Sequence, residues 1–423
     1  MRVLSALLLA LIVRAAPAQQ RGIPADPFPL GGASLRVSVL TFGPGDAVFE
    51  RFGHNALRIT DLASGVDLAY NWGMFSFGDP QFLARFLSGD TRYWVEAFPS
   101  SWLIEAYIGQ DREVHEQVLA LTVEQRTAIA ALVTHDALPE NKHYRYDYFL
   151  DNCSTRLRDA LDAVLGGSLR RRFSVLPTPR SFRSESVRLL TPAGLAQAGV
   201  DLALGPKADV PITAWESMFI PMRLRDYLRD VTVPGADAAP IPLVATEERI
   251  YRANRAPEPI EHHGLAIGGW GPILGVWMLL LAPLGASGRR RTRIPAAVVA
   301  ALWYGLTGLI GLILVGMWFG SAHQFWYRNL NLLLVSPIGL FAAVPVTRAI
   351  LRGAATPLAR WLLVALLAQG ALAFILSFAG PQSLGGPLWL ILPAHLGITI
   401  TVWRHLSVGG QAKARGAAIT EAA

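Results

Sequence analysis

"YFLDNCSTRLRDAL" (residues 148–161) holds Cys153, the single cysteine of a 423-residue chain. The tyrosine-rich run leading into it, "YRYDYFL" (144–150), reads as extended. Asp151 or Asn152 then reads as the cap of a helix over 153–165, which Gly166 and Gly167 stop. Leu157, Leu161 and Val164 share one face of that helix, and Arg158 and Asp162 stand at the i,i+4 spacing of an ion pair. A thiol in the first turn of a helix faces unpaired backbone N–H groups and the positive end of the helix dipole. Both favour thiolate over thiol, so a lowered pKa and a nucleophile near neutral pH are expected. The N–H groups around Asn152, Ser154 and Asp151 could also donate to an oxyanion formed beside the sulfur. Arg156 and Arg158 add positive potential, and Arg156 is a candidate for substrate contact.

The compartment sharpens the question of why the thiol is kept. Met1 and Arg2 precede an apolar run over 3–13 that is too short to span a bilayer, and Ala16, Pro17 and Ala18 come next as a small-residue cleavage site. Residues 1–18 read as a signal peptide, with an uncleaved anchor as the alternative; either exports the segment behind it. One cysteine cannot form an intramolecular disulfide. A free thiol in an oxidising compartment must then be buried or used.

From residue 265 the composition changes. The whole chain is 52% hydrophobic and only 16% charged, and the excess of apolar residues lies in five runs at about 265–284, 295–317, 330–346, 358–379 and 387–403. Each approaches the ~20 residues that cross a bilayer. Pro337, Pro345 and Pro393 mark expected kinks. Arg289, Arg290, Arg291 and Arg293 fill the first loop, Arg348, Arg352 and Arg360 flank the third, and Arg404, Lys413 and Arg415 come after the last run. By the positive-inside rule those loops and a tail over 405–423 are cytoplasmic, and residues 19–262 lie outside. "PEPIEHHG" (257–264) reads as the linker. The net charge of +7 comes from arginines that flank apolar runs or scatter through the first half, with no basic patch interleaved with aromatics, so no nucleic-acid partner is expected.

Within the outer domain, "LRVSVLTFG" (35–43), "HNALRITD" (54–61) and "DLAYNWGMFSF" (67–77) read as strands, the last two joined by a hairpin around 61–65. Thr122 and Gln125 form a capping-box pattern ahead of the helical "VEQRTAIAALVTHDAL". Residues 168–262 yield no clear pattern. A cysteine nucleophile needs a base, and His54, after Gly53, is the best placed of nine histidines. If 54–61 pairs with 67–77, Asn71 falls near His54 and could orient the imidazole; Asn71 could instead belong to a turn. His115, His135 and His143 read as solvated, and His262 and His263 as linker residues. No HExxH pattern and no second cysteine accompany them, so neither a metal nor another cofactor is expected. The second outward loop, "GMWFGSAHQFWYRNLNLLL" (316–334), carries His323, Asn329 and Asn331 among aromatic residues. Polar side chains entering a membrane segment are costly, which makes these three candidates for substrate contact.

"FGHNALRI", "AYNWG", "YRYDYFLDNCSTRLRDAL" and "AHQFWYRNLNLLLVSPIGL" together resemble the Lnb-type lipoprotein N-acyltransferases, over about residues 35–340. The order His then Cys is also similar to the circularly permuted papain-like (NlpC/P60-type) cysteine acyltransferases. The resemblance implies an α+β permuted papain-like periplasmic domain followed by an all-α domain of about five transmembrane helices in the bacterial inner membrane. It implies that Cys153 takes an acyl chain from a phospholipid as a thioester, with His54 as base and Asn71 as its orienting partner, and passes it to the N-terminal amine of a lipoprotein. A membrane-tethered cysteine peptidase or lipid hydrolase, and a non-catalytic envelope scaffold or transporter, are the competing readings.

Overall fold

Residues 35–42 are buried at seven of eight positions, so both faces of this strand are covered and it belongs in the middle of a sheet. The computed structural model describes residues 26–76, 80–235, 237, 239–260, 270–280 and 290–421. The signal-peptide region, His262, His263 and the two ends of the first apolar run fall outside them. Among the described residues the chain divides into two units.

The first unit combines the residues up to Arg180 with Pro211–Glu258. Its core is a seven-stranded antiparallel sheet. We number six strands β1 (Leu35–Phe42), β2 (His54–Asp61), β3 (Asp67–Met74), β4 (Arg92–Pro99), β5 (Val114–Leu119) and β6 (His143–Arg145); the seventh is Val244–Tyr251. Their order is Val244–Tyr251, β5, β1, β2, β3, β4, β6. The β2–β3 hairpin forms as expected, with Asp61 N–H bonded to Val66 O and the Asp61 carboxylate accepting from Ala63 N–H and Ser64 Oγ. Strand alternation sorts side chains onto two faces. Val37, Val39, Leu57, Ile59, Tyr70 and Trp72 pack under the helices Val123–Asp136, Cys153–Val164 and Pro221–Arg229. Leu40, Phe42, Ala56 and Ala69 pack under the helix Ser100–Gly109.

Several local expectations are corrected. Only His143–Arg145 of the tyrosine-rich run is a strand; residues 147–151 form a turn in which Asp147 Oδ1 accepts from Phe149 and Leu150 N–H. His115 is not solvated but buried on β5. Arg158 does not pair with Asp162. Its guanidinium lies over Trp215 at 3.8 Å and bonds Asp159 and the Trp215 carbonyl, because the helix buries that face.

The second unit is helical: Ser181–Val210 with the chain from Pro259. Among the described residues, four of its segments are long and apolar enough to cross a membrane, namely Arg293–Gly320, Gln324–Arg352, Pro357–Ala379 and Gly385–Trp403. The described part of the first apolar run is the helix Trp270–Leu280. The third run does not begin as an α-helix at 330. It enters through short 3₁₀ turns over 324–326 and 330–333 and becomes α-helical only at Ile338, after Pro337. The last helix continues through the expected tail to Glu421. Gly308 and Gly339 let two helices touch: a Cβ on Gly308 would lie 2.4 Å from Leu340 N, and one on Gly339 would lie 2.8 Å from Tyr304 O.

The segment Ser181–Val210, part of the stretch with no readable pattern, is closed on itself by buried polar groups. The Arg183 guanidinium, 3% exposed, bonds the carboxylates of Asp201 (2.7 Å) and Asp209 (2.9 Å) and the carbonyl oxygens of Asp201 and Leu204. Truncating it takes the guanidinium away from two largely buried carboxylates. Arg183→Ala is expected to destabilise this unit by about 3–5 kcal/mol. Limited proteolysis of the membrane-embedded protein checks this: new cleavage within residues 181–210 is the expected result.

Candidate active site

The helix bearing Cys153 starts where it does because Asn152 uses all its polar side-chain atoms to start it. Its Oδ1 accepts from the N–H groups of Ser154 and Thr155 (2.9 Å each), its N–H donates to Thr155 Oγ1 (2.7 Å), and its Nδ2 donates to the carbonyls of Tyr148 (3.0 Å) and Phe219 (2.9 Å). Asn152, not Asp151, is therefore the cap. Asp151 pairs with Arg156, whose guanidinium covers Tyr144 at 4.3 Å. Ser154 is fully buried; its Oγ donates to Met218 O (2.6 Å) and accepts from Asn55 Nδ2 (3.1 Å).

That last bond joins the cysteine helix to the histidine strand, because Asn55 is the next residue after His54. Gly53 makes the approach of the strand feasible. Its φ of 79° is left-handed, and a Cβ there would lie 2.9 Å from Phe42 O. His54 opens β2, is half-buried, and stacks on Phe42 and Tyr107 with centroids 6.1 and 5.9 Å away. Its Nε2 hydrogen-bonds Asn71 Oδ1. The register explains this contact. Leu57 faces Tyr70 across the β2–β3 ladder, so continuing the pairing places His54 opposite Gly73 and diagonal to Asn71 on the same face. Asn71 is buried, and its Nδ2 points to Met74 Sδ at 3.2 Å. The structure thus brings together Cys153, His54, Asn71, Asn152 and Ser154, with Asp151 and Arg156 one layer out.

Three residues that local sequence patterns did not single out complete the surroundings. Arg112 is 3% exposed, lies over Tyr107 at 4.6 Å, donates from Nε to Gly43 O (2.8 Å) and approaches Glu50 at 3.7 Å; its Nη2 is buried with no hydrogen-bond partner among the described residues. Tyr107 carries both the imidazole stack and this cation. Gly73, at φ 90°, leaves open the space beside the thiol, since a Cβ there would stand 3.7 Å from the Cys153 Cβ.

The electrostatics reverse the expectation drawn from the helix start. Burial pushes the Cys153 thiol up to about 11. The backbone N–H groups of Asn55, Ser154 and Cys153 and the charge of Arg112 oppose this without overcoming it. Burial also holds His54 down to about 4, against the bond from Asn71, and Arg112 lowers it further. At neutral pH both groups are uncharged. The proposed oxyanion donors also change: the N–H groups of Ser154 and Thr155 are bonded by the Asn152 cap, and of the N–H groups near the sulfur, those of Asn55, Ser154 and Cys153, the Asn55 and Cys153 groups lie outside that cap.

The three residues of the second outward loop sit in the helical unit. The Asn329 amide donates to Leu202 O and Ala203 O (2.7 and 2.9 Å), and the Asn331 amide to Asp201 O and Leu202 O (3.1 and 3.0 Å). Their donors close the C-terminal end of the helix Gly194–Ala203, which answers the cost of burying them without a substrate. His323 is buried with its ring 4.2 Å from that of Trp326. Among the described residues no cluster of His, Cys, Asp or Glu has the makings of a metal site.

Two family models match the chain. The Lnb N-terminal periplasmic domain matches residues 31–192, which include Cys153, His54 and Asn71, and the Lnb transmembrane domain matches residues 267–407. No curated protein and no solved structure matches it.

A small neutral alkylating reagent tests the charge state. Alkylation of Cys153 in the substrate-free protein is expected to rise with pH through and beyond neutrality, because the thiol pKa lies near 11; a plateau already reached at neutral pH would contradict it. Arg112 favours thiolate and disfavours imidazolium. Arg112→Gln is therefore expected to raise both groups: slower alkylation at alkaline pH, and titration of the His54 ring, monitored by NMR, above its value of about 4.

Proposed function

Because this chain belongs to the Lnb family, as a membrane protein with a periplasmic N-terminal domain, we propose that it is a cysteine-dependent acyltransferase acting on bacterial lipoproteins. The observation that carries this reading is the seam between His54–Asn55 and Cys153–Ser154: the Asn55 amide bonds Ser154 Oγ, so the residues next to His54 and Cys153 are joined, and Asn71 holds the imidazole.

The chemistry starts from the neutral pair. As Cys153 Sγ attacks the ester carbonyl of a phospholipid, His54 removes the thiol proton; a neutral imidazole with a lowered pKa is free to do so. The main-chain N–H groups of Cys153 and Asn55 are the donors for the oxyanion, with the buried guanidinium of Arg112 as the fixed positive charge nearby. Collapse breaks the ester C–O bond. The imidazolium protonates the leaving alkoxide, and a lysophospholipid departs from an acyl-Cys153 thioester. The N-terminal amine of a lipoprotein then attacks the thioester carbonyl and breaks the C–S bond. Its excess proton returns through His54 to the Cys153 sulfur. Asn71 is a positioning residue that fixes the ring.

His54 before Cys153 in the chain, with the cysteine helix packed on an antiparallel sheet, supports a circularly permuted papain-like arrangement. The arginine-rich loops support five spans in the inner membrane with a cytoplasmic C-terminus and the catalytic unit in the periplasm, where phospholipid and lipoprotein are both available. Water in place of the amine would make the same site a hydrolase.

Mass spectrometry of lipoprotein N-termini tests the reading. Loss of the N-acyl group on deletion, restored by the native chain and not by Cys153→Ser, is expected. Cys153→Ser and His54→Ala variants that restore acylation fully would sink it. His54→Ala is expected to lower the rate by about 10²–10⁴-fold, and Asn71→Ala by less. A released free fatty acid with unchanged N-termini would indicate the hydrolase.

A further inference from the structure

We propose that the cleft lying between β4 and the helix Phe82–Ser88 is the acyl-chain site of Cys153, and that its occupant is one hydrocarbon chain of the phospholipid donor. This deepens the acyltransferase reading and rests on it.

The cleft has a volume of about 370 Å³ and is walled by Phe75, Phe82, Phe86, Tyr93 and Trp94. A methylene takes roughly the ~30 Å³ that a water takes in the liquid, so there is room for about a dozen: one chain, not two. The walls are pre-packed. Phe75 stacks on Tyr93 (5.1 Å) and Phe82 (5.6 Å), and Phe82 on Phe86 (6.3 Å).

Two further observations point to a lipid. The first is continuity with the thiol. Tyr93 stacks on Tyr146 at 4.3 Å. A Cβ on Gly73 would meet the Tyr146 ring at 3.6 Å and the Cys153 Cβ at 3.7 Å, and nothing else within 4 Å. The missing side chain of Gly73 thus leaves a passage whose two walls are the thiol-bearing residue and the tyrosine that backs the cleft. A chain esterified to Sγ can run over Gly73, along Tyr146 and Tyr93, into the aromatic walls. The second is the rim. It carries the guanidiniums of Arg85 and Arg92, each beside the carboxylate of Asp90 (3.3 and 3.4 Å), so a charged mouth stands over apolar walls, as a site for a chain with a polar head requires. Phe49, 52% exposed, meets Phe75 edge-on at 5.6 Å and extends the apolar surface outward.

The test uses the full-length protein with vesicles of phosphatidylglycerol carrying equal amounts of C12 and C16 chains, and reads the mass of acyl-Cys153. Ser76→Trp narrows the cleft from an exposed position and is expected to shift the C12:C16 ratio at least tenfold toward C12. Phe86→Ala widens it and is expected to shift the ratio the other way. Normal acylation with the native ratio in both variants overturns the proposal and leaves the acyltransferase reading intact. Absence of acyl-Cys153 in the native chain removes both. A readout independent of turnover uses Cys153→Ser and phosphatidylglycerol with a diazirine at a chain terminus. Crosslinks to Phe75, Ser76 or residues 82–94 are expected, and crosslinks confined to the helical unit overturn the assignment.

Discussion

The cap made by Asn152 is the interaction on which the site depends. One side chain satisfies two orphan N–H groups of the helix, ties that helix to the turn that delivers it through Tyr148 O, and ties it to the segment before the helix Pro221–Arg229 through Phe219 O. The consequences spread from there. With residues 218–221 held, Met218 O fixes the Ser154 hydroxyl, and that hydroxyl receives the Asn55 amide. Asn55 is the neighbour of His54, so the position of the imidazole is set through a chain of buried bonds that begins at the cap. Asn152 is a structural centre for the reactive pair although it need not touch a substrate.

The same cap limits what the helix start can do for the thiol. Two of the first three N–H groups of the helix, those of Ser154 and Thr155, are already bonded, and the sulfur-bearing residue is 7% exposed. Desolvation then outweighs the remaining donors, and the resting pair is neutral thiol and neutral imidazole. Such a pair suits an exported protein. A permanent thiolate in an oxidising compartment is exposed to oxidation, whereas a buried neutral thiol is protected from it. Arg112 fits this scheme. It biases the site toward negative charge, and its Nη2 is buried with no hydrogen-bond partner among the described residues.

What could be read from the chain was local. The helix start at Cys153, the hairpin around residues 61–65 and the Thr122 capping box are signals of a few residues, and each is where the spacing places it. His54 and Asn71 became neighbours through one strand pairing, the shortest tertiary inference available. Arg112, Tyr107 and Gly73 were invisible because their roles depend on which strands lie beside which, and the order of the sheet is not local. The sign of the thiol's shift failed for a related reason: the dipole is a property of one helix, but burial is a property of everything packed on it. Segment Ser181–Val210 was unreadable because its helices answer to partners more than a hundred residues away.

The polar loop of the helical unit shows how a costly residue can be explained twice. Asn329 and Asn331 look like ligand contacts when seen against apolar sequence, since an amide buried in a membrane protein needs a reason. A helix that ends inside protein supplies one. The carbonyls at the end of Gly194–Ala203 have no acceptor role left within their own helix, and Asn329, Asn331 and Gln382 provide donors for them. Gln382 also donates to Asn329 Oδ1 and accepts from Leu330 N–H, so two loops and one helix end close on each other. The asparagines are there because the helical unit takes in a stretch of chain that lies, in sequence, between two parts of the sheet-bearing unit. Such an insertion must hold itself to its host by contacts of its own, since neither of its ends is anchored there by the chain. The buried Arg183 clamp closes the segment on itself, and the asparagine donors close it on its host.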